Sequence, residues 1–177
     1  EVHDAGLRAL AGAVLAQKGL EVLVVQGEKT EAGDEGWWWL AQALRGLAGT
    51  EPVEPLFPDW QPGDTVPVEM GEGASAPSLH TSLHTVEFAL SSVGDEAWDE
   101  VMAGLRALSP SLRHCTLEFP CWGLGGRAIV ELAATVTRLP SLQVLAVTAK
   151  EGWSVQVEAV EQLALAMRTV QVAEVEV

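Results

Sequence analysis

Residues 112–139 read LRHCTLEFPCWGLGGRAIVELAATVTRL. The first half places apolar groups at Leu112, Cys115 and Leu117, the pattern Leu-x-x-apolar-x-apolar, which predicts a short strand. The second half places Ile129, Leu132, Ala133, Val136 and Leu139 at helical spacing. A strand followed by a helix in under thirty residues is a unit that cannot bury both apolar faces by itself, so further copies are expected. They are present. Runs of the same form begin at Leu20, Leu83 and Leu142, and a weaker one at Val170. The last four lie 29, 30 and 28 residues apart, and Leu20 precedes Leu83 by 63.

A second signal keeps step with the first. Asp4, Asp34 and Asp95 each stand before a helical pattern, and the dipeptide Gly-Asp recurs at 33–34, 63–64 and 94–95. Asp at such a place is expected to be the N-cap of its own helix, accepting from the free N–H groups of the first turn. The helices that follow carry Leu7, Leu10, Val14 and Leu15; Trp37, Leu40, Leu44 and Leu47; Trp98, Val101, Met102, Leu105 and Leu108; and Val157, Val160, Leu163, Ala164 and Met167. Crossovers of this length require parallel strands. The expected fold class is therefore α/β: a short solenoid with a parallel sheet on its concave side, helices on its convex side, and 28–31 residues per repeat. The plain rival is an ordinary α/β domain of alternating strands and helices.

Residues 112–139 and 142–167 resemble the long leucine-rich repeats of the ribonuclease-inhibitor type. Weaker copies extend the resemblance over most of 1–50 and 79–177. It implies a protein-binding scaffold. That family usually sets an Asn or Cys after each strand, whose side chain bonds the turns in a ladder. This chain has no Asn. Ser91 or Ser92, Cys121, and Thr148 or Lys150 stand there instead, so irregular turns are expected. The resemblance also leaves open a regulator of small GTPases, although no matching polar constellation is present.

The chain divides at a composition break. Residues 1–49 hold the first repeats and 79–177 three further repeats ending in a strand, in one continuous solenoid. Residues 50–78 hold six of the nine prolines, which disfavours helix. This stretch reads as a degraded repeat or a loop. Val53 to Leu56 would be its poor strand, and Phe57 and Trp60 its candidate partner contacts.

Composition narrows the function classes. The net charge of −15 lacks the basic footprint of a nucleic-acid binder and favours a partner with basic surface. The absence of any eighteen-residue apolar run argues against a membrane span. Two cysteines are too few for a disulfide framework, so a reducing intracellular compartment, cytoplasmic or organellar, is expected. The start at Glu1 has no signal-like apolar core and reads as a processed chain or a fragment.

Catalytic and metal motifs are weak. His80 and His84 have metal-like spacing, but His84 falls in a strand and no Glu follows His80. His114, Cys115 and Cys121 suggest a nucleophile pair, yet Cys115 takes the apolar position of its strand. Gly123 to Arg127 lacks the Gly-Lys-Ser/Thr ending of a phosphate loop. No cofactor, metal or catalytic residue is therefore expected. Trp37, Trp38 and Trp39 are consecutive, so a helix cannot bury all three on one face. Trp37, repeated as Trp98, is expected in the core, and Trp38 or Trp39 at an interface. The open face of the sheet should present Glu21, Val22, Val24, His84, Thr85, Glu87, Arg113, His114, Thr116, Gln143, Val144 and Ala146. From these two regions and the proline-rich stretch the candidate partner-binding residues are Trp38, Trp39, Phe57, Trp60, His84, Glu87, Arg113, Thr116 and Gln143. The expected function is a non-catalytic protein-interaction scaffold, alone or as a structural subunit of a larger assembly. An enzyme or GTPase regulator on an α/β fold is the alternative.

Overall fold

A computed structural model describes residues 3–17, 19–26, 32–49, 82–90, 93–120, 126–150 and 157–176. Phe57, Trp60, His80, Cys121, Trp122, Trp153 and the whole of 50–78 lie outside them. The order is α1 (Asp4–Ala16), β1 (Val22–Val25), α2 (Asp34–Leu47), β2 (Thr85–Ala89), α3 (Asp95–Ala107), β3 (His114–Pro120), α4 (Gly126–Val136), β4 (Val144–Lys150), α5 (Val157–Ala166) and β5 (Val172–Glu176). A 3-10 turn, Met167–Thr169, follows α5. The chain is α/β, and its five strands are all parallel and lie in sequence order.

Each strand begins two residues after the residue that opens its run, a leucine in the first four and Val170 in the last. The reason is backbone bonding. Leu112 N–H donates to Leu108 O at 2.9 Å and Leu142 N–H to Leu139 O at 3.0 Å, so the turn takes the donors a ladder would need. The leucines still serve the core: Leu83 and Leu112 are fully buried and Leu142 nearly so. Beyond them the pleat alternates. Leu23, Val25, Val86, Phe88, Cys115, Leu117, Leu145 and Val147 turn toward the helices. Trp37 lies over Phe88 with ring centroids 6.1 Å apart. Trp98 meets Phe119 edge-on at 5.0 Å, and its indole N–H donates to Ala128 O at 3.2 Å.

The aspartates at the helix starts do something other than expected. Asp4, Asp34 and Asp95 are the first helical residues, with His3, Gly33 and Gly94 at the N-caps, and none of those caps bonds through a side chain. The carboxylate instead reaches the neighbouring helix. Asp4 Oδ1 accepts from Gly33 N–H at 2.7 Å and Gly36 N–H at 3.0 Å. Asp34 Oδ1 accepts from Gly94 N–H at 2.5 Å. Each thus satisfies orphan donors of the next helix in the layer, and its negative charge sits at the positive end of that helix dipole. Glycine makes the approach feasible. A Cβ at Gly36 would stand 2.7 Å from Asp4 Oδ1 and 3.0 Å from Leu7 Cδ1.

β1 and β2 pair directly, Val22 with Thr85 through Val25 with Phe88, and α2 packs on both α1 and α3. β1 and β2 are therefore immediate neighbours in the sheet.

Candidate binding surface

Two surfaces carry the candidate residues. The first is the sheet face that the helices leave open. At the strand entrances Glu21, His84, Arg113 and Gln143 form adjacent rungs. His84 N–H donates to Glu21 O, Arg113 N–H to His84 O, and Gln143 N–H to Arg113 O, at 3.0, 2.9 and 2.7 Å. The next rows are Val22–Thr85–His114–Val144–Val172 and, two residues on, Val24–Glu87–Thr116–Ala146–Glu174. All five predicted sheet residues, His84, Glu87, Arg113, Thr116 and Gln143, are thus within these three rows and reach solvent.

The row from Val22 to Val172 has apolar margins around Thr85 and His114, and the row from Val24 ends on Glu174. Val22, Val24 and Val172 are 48, 46 and 57 % exposed. Between them, the Thr85 hydroxyl lies 3.0 Å from His84 Nδ1 and 3.3 Å from His114 Nδ1. One hydroxyl proton can go to only one ring, so where both bonds form at least one imidazole donates to the oxygen. His84 Nε2 stands 4.0 Å from Glu21 Oε2, and Gln26 Nε2 donates to Glu87 Oε2 at 3.4 Å. The Thr85 and His114 backbone N–H groups already donate to Glu21 O and His84 O. They are not available as oxyanion donors beside that hydroxyl. Behind this face, burial pushes the Cys115 thiol up from 9.0 to about 12, which keeps it protonated at neutral pH.

The second surface is on the helix layer. Asp34 and Glu35 at the start of α2, Glu96, Asp99 and Glu100 on α3, and Trp38 and Ala97 line an open cavity of about 450 Å³. Some of its charge is matched. Glu100 pairs with Arg45 at 2.8 Å and accepts from Gln42 at 3.2 Å, while Asp99 pairs with Arg127. The sequence reading missed this cavity, though its signal was present in the acidic first turns of two helices.

The tryptophans divide unevenly between core and surface. Trp38 is partly exposed and lines the cavity. Trp39, expected as a partner contact, is only 8 % exposed. The reason is α1. Arg8 lies 4.8 Å from the Trp39 ring centroid, Trp38 meets it edge-on at 4.7 Å, and its indole N–H reaches Glu35 at 3.5 Å. The sheet residues and Trp38 are therefore on opposite layers and do not form one site.

Among the described residues no helix is long and apolar enough to cross a membrane. Compared with known proteins, the chain matches no family model and no curated protein.

Proposed function

We propose that this chain is a solenoid of the leucine-rich-repeat kind that acts as a non-catalytic protein-binding scaffold, with the open sheet face as its receptor surface. The carrying observation is one-sided coverage among the described residues: helices pack on one face of the parallel sheet, and the other presents a graded set of apolar and polar side chains. Parallel sheets are commonly covered on both faces. An uncovered one is a surface suited to a partner.

The size of the face limits the mode. Five strands at about 4.8 Å spacing span about 19 Å. Specific interfaces take about 800 Å² from each partner. The partner then also touches the strand-flanking segments, and a subunit role in a larger assembly fits that need. The acidic cavity beside Trp38, on the opposite layer, is a separate surface whose carboxylates and indole suit a basic side chain. The open, flat setting of the Thr85 hydroxyl supports a non-catalytic reading.

The test is affinity capture and crosslinking with three baits: the wild type, a sheet variant carrying Val24→Arg and Thr116→Arg, and a helix-layer variant carrying Val130→Arg. Val130 is 41 % exposed on α4. A partner retained by the wild type and the Val130 variant, crosslinked near His84 or Arg113, and lost by the sheet variant supports the reading. A partner held equally by all three baits overturns it.

A further inference from the structure

The open sheet face has a charge balance that its two imidazoles can cancel. In its three rows the carboxylates are Glu21 beside β1, Glu87 on β2 and Glu174 on β5, against the guanidinium of Arg113 beside β3. β4 brings only Gln143, Val144 and Ala146 to these rows, and Glu118 on β3 stands one row further on. Three carboxylates against one guanidinium leave the rows two negative charges while His84 and His114 are neutral, and none when both are protonated.

The rings are held so that both can take a proton without loss of a bond. The Thr85 oxygen lies 3.0 Å from His84 Nδ1 and 3.3 Å from His114 Nδ1. A hydroxyl oxygen has two acceptor lone pairs, so two imidazolium rings can both donate to it while its own proton turns to solvent. Glu21 Oε2 faces the far nitrogen of His84 at 4.0 Å. The adjoining row forms a seat. Glu87 and Glu174 stand three strands apart, about 14 Å, with the small side chains of Thr116 and Ala146 between them. Gln26 bonds one oxygen of Glu87. A segment crossing this low middle can set a Lys or Arg against either carboxylate.

We propose that the occupant of the sheet face is a basic protein segment, bound while His84 and His114 are neutral and released when acid charges them. The inference rests on the reading of the open sheet as a receptor surface and adds the sign of the partner and its control. Charge complementarity selects the occupant: the rows are net acidic, and the −15 of the whole chain steers a basic segment toward them. Linkage then fixes the direction. A basic partner repels an imidazolium, so its binding expels protons, and a fall in pH weakens it by the same coupling. A seated partner also excludes water from a face bordered by exposed Val22, Val24 and Val172, which strengthens that repulsion.

An oligolysine peptide is the probe, followed by amide NMR at about pH 7.5 and about pH 5.5, on either side of imidazole protonation. At the higher pH the amides of Thr85, Thr116 and Ala146 shift on addition of the peptide. The affinity read from them falls about fivefold or more at the lower pH. In a variant carrying His84→Gln and His114→Gln the ratio of the two affinities is under about twofold, whatever their size. Glu87→Gln with Glu174→Gln weakens binding at both pH values. Circular dichroism of the wild type is the same at both, and a change there overturns the switch, since release would then follow unfolding. Equal falls in the wild type and the histidine variant overturn it too. Shifts confined to the amides of Trp38 and Glu96, at the cavity on the helix layer, overturn the basic occupant. None of these results decides the receptor reading, which the sheet variant tests separately in the affinity capture.

Discussion

The seams between helices are made differently at the two ends of the layer. From α1 to α3 a carboxylate accepts backbone N–H groups of the next helix, and glycine clears the space, with Arg45 and Gln42 adding side-chain ties to Glu100 between α2 and α3. From α3 to α4 the ties are side chains. Arg106 reaches Glu131 and Thr135, Arg127 reaches Asp95 and Asp99, and the Trp98 indole bonds Ala128 O. A backbone-to-carboxylate seam has little slack, because the donor cannot rotate away and a single added methyl meets the acceptor. A seam of long side chains adjusts to its partner and leaves its charges partly in water.

Three substitutions separate these seams. Trp98→Ala should cost most, about 3–5 kcal/mol, because it empties the space against Phe119 and removes the buried bond to Ala128 O. Chemical denaturation measures it, and a loss under about 1 kcal/mol would mean that the later seam does not depend on its buried ring. Gly36→Ala comes next, at about 1–3 kcal/mol, since the new Cβ meets both Asp4 and Leu7. A double-mutant cycle with Asp4→Ala should be non-additive, because removing the carboxylate relieves part of the clash it caused. Strict additivity would break the account of the first seam. Arg127→Ala should cost least, about 0–1 kcal/mol, because that guanidinium is 62 % exposed and its ion pairs are screened. Its small effect should shrink further with salt, whereas the Gly36 effect should not.

Much of the frame was readable before any coordinates. Spacing alone located the starts of all five described strands to within two residues, because alternation marks which side chains enter the core. It located the helices too. The role of Asp4 and Asp34 was not readable in the same way. Local sequence points an aspartate at its own helix, whereas the donors it meets lie 29 and 60 residues away. Trp39 misled for a related reason. Its burial depends on α1 and Arg8, which no window around residues 37–39 contains. The sheet rows were foreseeable from the pleat, but the cavity at Trp38 needed the relative placement of α2 and α3.

Within the described residues, strands pair and helices pack in chain order, each with its immediate predecessor and successor. Such one-dimensional connectivity shapes how order is lost. A flank can open without uncovering the middle, so α1 with β1, or α5 with β5, can exchange amide protons through partial unfolding while α2, α3, β2 and β3 stay protected. Cooperativity then becomes a property of the seams, passed from one to the next, rather than of a single central nucleus.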